Sequence, residues 1–291
     1  MLTRLAAALA LALALATGCA APGFVGHTGR VTPRHGFRVT LGSGYQVNTT
    51  AAAVVSDGRD LARTLDSKRT SCPEPTSLEC WNVADVEPVV DAAYRFALVA
   101  PFSTSTSLGL SYGVAGGFDL GVKWGPGTKG IDAGWQVFGP RDRSDGWAGT
   151  LLLGMDARSL GTLGDVIENV FKGDASLTDY GVTFVAGRQW REIAHVYLGG
   201  RAVASRWKIQ VIPDIPIVYD GGEQQARLLG TDASGGLWHT GAVLGAALGY
   251  RRVWIGAELN VLWSAGHARV LFEDRNLSGL GVMPAVYLYA Q

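Results

Sequence analysis

The residues best suited to chemistry are five histidines: His27, His35, His195, His239 and His267. An imidazole becomes a general base for a serine or a water only when a nucleophile and an orienting carboxylate lie within hydrogen-bond reach. No Ser-His-acid set stands at a spacing that forces this. His27 and His35 fall in a Gly- and Pro-rich N-terminal stretch, and His239 and His267 fall near the ends of apolar alternations, with Arg269 and Glu273 on the parity of His267. Each histidine reads as interfacial or solvated, and no catalytic residue is assigned.

Two further motifs lose their chemistry on inspection. "GPGTKG" (Gly125–Gly130) matches G-x-G-x-x-G, but a phosphate cradle needs a helix to follow, and alternating "IDAGWQV" follows instead. It reads as a hairpin turn. "PRDRSDG" (Pro140–Gly146) has the Asp and Gly of a cation loop without its ligand spacing or terminal Glu, and reads as a polar turn. Cys72 and Cys80 form C-x7-C around Pro73 and Pro75 with no histidine near, which fits a loop-stapling disulfide rather than zinc. No metal or cofactor is expected.

The elements that would position these residues are strands. Charged residues make up only 17% of the 291 positions, glycine accounts for 40, and the net charge is zero. That composition argues against disorder, a helix-rich enzyme and a nucleic-acid partner. Apolar and polar residues alternate at Gly36–Val47, Val90–Ala100, Ser107–Val114, Phe118–Trp124 and Ile131–Val137. Further alternations cover 147–156, 180–189, 195–205, 237–250 and 253–263, with one or two more within 267–273 and 280–289. That makes ten to twelve strands. A three-residue loop, Ala115-Gly116-Gly117, would keep Val114 and Phe118 on one face, and the two-residue loop Arg251-Arg252 keeps Tyr250 beside Val253. Val166, Ile167, Val170 and Phe171 have helical spacing ahead of Gly173, which predicts one short amphipathic loop helix.

Two media could meet the shared apolar face: a second protein layer or lipid. Val253 to Trp263 would span roughly 33 Å at ~3.3 Å per residue, or about 25 Å of height when tilted ~40°, the apolar band of a transmembrane barrel. Trp147, Tyr180 and Trp238 at strand starts, and Trp124, Tyr250 and Trp263 at strand ends, would form interfacial girdles. The opposite parity carries Arg38, Asp91, Arg95, Asp119, Lys123, Asp132, Arg201, Glu258 and Asn260. Four positive and four negative groups can neutralise one another in a lumen, whereas a basic residue facing lipid would cost about 2–4 kcal/mol at midplane.

The N-terminus fits export. Arg4 precedes the leucine-alanine run Leu5–Ala16, too short to span a bilayer comfortably. "LATGC" resembles the bacterial lipobox, which would make Cys19 the acylated first residue of the mature chain. Ala16 stands where that family prefers Leu, and Ala14-Leu15-Ala16 could equally be an ordinary cleavage site, leaving Cys19 as a spare thiol. The resemblance to enterobacterial lipoproteins, with Ala20 after the Cys, implies the outer membrane.

The alternation over about residues 37–290 resembles small bacterial outer-membrane β-barrels. Such barrels usually end on an aromatic, whereas this chain ends "VYLYAQ", and Pro284 is tolerable only at a bulge or unpaired position. The resulting organisation is a signal peptide (1–18), a flexible tether (19–36) and an all-β antiparallel transmembrane barrel (37–291) in a Gram-negative envelope. The expected function is a non-enzymatic structural, assembly or partner-binding component, in contact with membrane lipids and other envelope proteins. Alternatives are a narrow passive channel, a lipid-active rim enzyme and a soluble periplasmic β-sandwich lipoprotein.

Overall fold

The computed structural model describes residue 23 and residues 25–49, 102–140, 145–159, 171–191, 193–213, 232–250, 252–270, 273–276 and 278–291. They form strands β1 (Phe37–Asn48), β2 (Phe102–Ala115), β3 (Phe118–Gly125), β4 (Thr128–Phe138), β5 (Gly146–Ser159) and β6 (Phe171–Trp190). The chain continues through β7 (Ala194–Pro213), β8 (Asp232–Tyr250), β9 (Val253–Val270), β10 (Glu273–Asn276) and β11 (Gly279–Ala290). Consecutive strands pair antiparallel from β1 to β9, and β11 pairs with both β9 and β1. Ten strands thus close into a barrel, and the short β10 extends the β9 edge.

Across the described short turns the inward–outward parity is preserved. Tyr250 pairs with Val253 across Arg251-Arg252, as the alternation requires. The β2–β3 turn solves parity differently from expectation. Ala115 pairs with Phe118 across a two-residue Gly116-Gly117 turn, with Gly117 at φ 89°, and a bulge between Gly113 and Ala115 absorbs the extra residue. Without the bulge, a two-residue turn would put Val114 on the wrong face. "GPGTKG" is a hairpin, with Gly125 paired to Thr128 across Pro126 and a left-handed Gly127.

Pro284 sits inside β11, opposite Leu259 of β9. On its other edge the β1 ladder runs from Gly44↔Ala285 to Val47↔Val282 and skips Tyr45 and Gln46. The proline, lacking an N–H, therefore lies at the gap in the closing seam.

Three boundaries differ from the sequence reading. Residues 267–270 continue β9 rather than starting a new strand. Phe171 and Gly173 belong to β6, paired with Pro213 and Val211, so no helix ends at Gly173. Val166, Ile167 and Val170 lie outside the described residues. Tyr180, Trp238 and Trp263 lie inside long strands rather than at their ends. Expected residues Asp91, Arg95, the strand Val90–Ala100, Cys19, Cys72 and Cys80 lie outside the described residues.

Every strand of the ring exposes large apolar side chains on its outward face. Trp238 and Tyr250 of β8 are 65% and 70% exposed, and Leu244 midway between them is 55% exposed. Trp124, Tyr180 and Trp263 also point outward, as do Trp135, Trp147 and Trp190. The twelve intervals from Trp238 to Tyr250 rise about 30 Å at ~3.3 Å per residue and ~40° tilt.

Candidate functional site: a stoppered lumen

Alternation sends the charged parity inward. Arg38 (β1), Asp119 and Lys123 (β3), Asp132 (β4), Arg201 (β7), and Glu258 and Asn260 (β9) all face the lumen. Some pair with each other: Lys123 meets Asp132 at 3.0 Å, and Asn260 donates to Glu258 at 2.7 Å. Glycines on neighbouring strands make room for the carboxylates. A Cβ on Gly121 or Gly134 would lie 2.2 Å from an oxygen of Asp132 or Asp119 respectively.

The remaining polar groups bind the N-terminal segment, which is not a free tether over residues 25–36. Val25 and Gly26 donate their backbone amides to the two oxygens of Glu258 at 2.7 and 2.9 Å. The amide of Thr32 donates to Asp119 at 2.7 Å, and Thr150 donates to the carbonyl of Gly29 at 2.7 Å. Arg38 donates to the carbonyl of Arg30 at 2.7 Å, and Arg201 donates to that of Gly23. His27, Thr28, Arg30 and Thr32 are buried. Entering beside the β2–β3 turn, the segment climbs so that successive contacts lie farther from the short turns.

The wall is notched to receive it. A Cβ on Gly113 would sit 2.0 Å from the carbonyl oxygen of Pro33, and one on Gly187 would sit 2.5 Å from that of Thr28. Gly29, at φ 81°, packs its Cα face against the backbone of Gly187 and Ala148. Local composition gave no warning, because the glycines that suit a flexible tether also allow this close backbone approach.

The β7–β11 side of the lumen is aromatic, a feature the alternation implied but the sequence reading did not use. Tyr197, Trp254, Met283, Tyr287 and Tyr289 form a buried cluster with Val185, Val243, Ala247 and Ala285. Tyr197 also donates to Glu258 at 2.8 Å. Trp254 stacks on His195 and on Tyr289, with centroids 5.2 and 5.8 Å apart. Rings lie over cross-strand glycines: Tyr197 over Gly245, Trp254 over Gly249, Tyr287 over Gly256. Tyr289, the aromatic nearest the chain end, faces inward.

Toward the loop end, Arg158 pairs with Asp179 at 2.7 Å, and Ser205 donates to the other Asp179 oxygen at 2.5 Å. His239 Nδ1 and Ser264 Oγ are 2.7 Å apart across β8 and β9. The histidine reading needs correction, since His27, His195 and His239 are buried in the lumen, not interfacial or solvated. Strand parity turns His195 of β7 and His239 of β8 inward, while His27 is carried in by the N-terminal segment. His35 lies near Tyr112, with Nδ1 3.0 Å from its hydroxyl. The side chains of His267, Arg269 and Glu273 lie outside the described set.

A cavity of about 80 Å³ remains beside the segment, lined in part by His27, Arg38, Lys123, Asp132, Asp156 and Arg201. Among the described residues, no group of three His, Cys, Asp or Glu side chains could hold a metal ion.

No family model matches this chain, and no curated protein matches it. Solved structures overlap it at low scores. Neisserial surface protein A aligns with a TM-score of 0.31 and 9% identity, over 87% of this chain and 96% of that one. The attachment invasion locus protein Ail of Yersinia pestis, in complex with the heparin analogue sucrose octasulfate, aligns at 0.26 and 8%, over 87% and 97%. The CymD monoaromatic hydrocarbon channel aligns at 0.22 and 8%, over 89% of each chain.

Proposed function

We propose that this chain is a non-enzymatic outer-membrane barrel, closed by its own N-terminal segment, which presents its loop end to envelope partners or supports an assembly there. The observation that carries the location is the outward apolar belt on all ten ring strands, bounded by aromatic residues about 30 Å apart on β8. Water would not tolerate so large a continuous apolar surface on a monomer. Export through residues 1–18 and acylation of Cys19 belong to the same proposal, and the mass of the mature N-terminus reads them.

The closed state is supported by Glu258, Asp119, Arg38 and Arg201, whose bonding capacity is directed at residues inside the lumen. The non-enzymatic reading is supported by the histidine geometry. His239 meets Ser264 through Nδ1, while Asp179 is engaged by Arg158 and Ser205 instead of orienting that imidazole. Purified protein that requires detergent, migrates differently before and after boiling, and gives no steady unit currents at neutral pH is the expected result. A monomer freely soluble in buffer would overturn the membrane assignment, and steady currents at neutral pH would overturn the closed state.

A further inference from the structure

His27 is the misfit in the seat. It is buried to 8% exposure and lines the residual cavity, yet neither ring nitrogen has a hydrogen-bond partner among the described residues. Buried polar groups are almost always satisfied, and an exception calls for an explanation. Its surroundings are ready-made for other roles. Lys123 is paired with Asp132, and Asp179 with Arg158. His195 approaches the Tyr289 hydroxyl at 3.3 Å, and Glu258 is filled by Val25, Gly26, Tyr197 and Asn260. Asp156 and Arg201 also line the cavity.

We propose that residues 25–36 are a releasable stopper with His27 as its proton sensor, so that protonation unseats the segment and opens a conducting path for small ions. The proposal rests on the closed-barrel reading above. Its first support is geometric: the segment is held through backbone amides and carbonyls, and it enters from one end of the barrel without being a strand of the wall. The second support is electrostatic. Burial, then the positive charges of Arg38 and Lys123, then His195, hold the His27 imidazole well below its ordinary range.

The sign follows from linkage. Seated His27 takes a proton less readily than released His27, so acid favours release. Seating is fully stable above the ordinary histidine value of about 6.5 and weakens below it, by up to about tenfold in the seated-to-released ratio per pH unit. After release, the exposed lumen would carry Arg38, Lys123 and Arg201 against Asp119, Asp132, Asp156 and Glu258. That near balance, with one carboxylate in excess, predicts at most a mild preference for small cations.

Planar-bilayer recording with potassium chloride tests this on the full mature chain, on His27→Leu, and on a deletion of residues 25–34. The wild type should be silent at pH 7.5 and open increasingly from pH 6.5 to 4.5. His27→Leu loses no hydrogen bond to a described residue and should lack that rise, while the deletion should conduct at every pH. A wild-type acid rise that persists in His27→Leu overturns the sensor. A wild type silent throughout, with a conducting deletion, overturns proton release. A deletion that stays heat-modifiable but silent overturns the stopper. Wild-type currents already steady at pH 7.5 would instead reject the closed reading on which the proposal stands.

Discussion

Glu258 on β9 holds the backbone of Gly26, a residue 232 positions earlier in the chain, through a 2.9 Å bond from amide to carboxylate. The same carboxylate accepts from Val25, from the Tyr197 hydroxyl and from Asn260. One side chain thereby joins the stopper, the aromatic wall and the charged lumen.

Glu258→Ala should therefore leave three buried donors and one partly buried donor without their acceptor. A loss on the order of 3 kcal/mol is expected, since each orphaned group costs about 1–3 kcal/mol and partial relaxation offsets some of it. Urea unfolding in detergent micelles measures it. Trypsin cleavage after Arg30, now buried, should accelerate in the same variant; unchanged cleavage would show that Glu258 does not hold the segment.

Ring-over-glycine packing gives an internally controlled prediction. A Cβ on Gly256 would lie 2.2 Å from the Tyr287 ring, whereas one on Gly200 would meet only the Gly241 carbonyl oxygen at 3.9 Å. Gly256→Ala should destabilise the barrel by about 1–3 kcal/mol through overpacking, and Gly200→Ala should cost little. Equal effects from the two variants would count against the lumenal position of Tyr287.

Depth on the outward face should be readable by arginine substitution. Leu244 lies midway between Trp238 and Tyr250 on β8. Leu244→Arg should cost about 2–4 kcal/mol and Tyr250→Arg about 0–1 kcal/mol, measured by reversible folding into phospholipid bilayers. A flat profile along β8 would remove the lipid-facing assignment.

At the loop end, Asp179→Ala would remove the carboxylate that pairs with Arg158 at 2.7 Å inside the barrel. A cost of about 3–5 kcal/mol is expected for the single change. The double change Asp179→Ala with Arg158→Met should recover much of it, because the buried guanidinium is then removed together with the carboxylate that neutralised it. A double-mutant cycle on denaturation midpoints decides whether the pair is coupled.

The outward faces were legible because strand parity is local. Ile255, Leu259 and Trp263 alternate with Trp254, Glu258 and Asn260, and any closed antiparallel barrel must separate those two sets. Turn parity was legible in outcome but not in mechanism. The Gly116-Gly117 turn reaches the expected face only through a bulge, and bulges follow from pairing with β3, not from the residues alone. At Phe171 and Gly173, where helical spacing placed the end of a helix, the chain instead pairs with Pro213 and Val211, because the β7 ladder extends β6 to that point.

The lumen was legible only as a set of residue types. Arg38, Asp119, Arg201 and Glu258 were recognisable as inward charges, and mutual neutralisation was the natural reading. In the folded chain these four groups turn to the backbone of residues 23–32. The sequence by itself determined the strand class, the sidedness of each strand and the sign balance inside, because those depend on a two-residue period and on composition. Only the tertiary structure decided what fills the lumen, because a Gly-rich segment has no periodicity of its own and gains its conformation from notches and charges on other strands, up to 233 positions away.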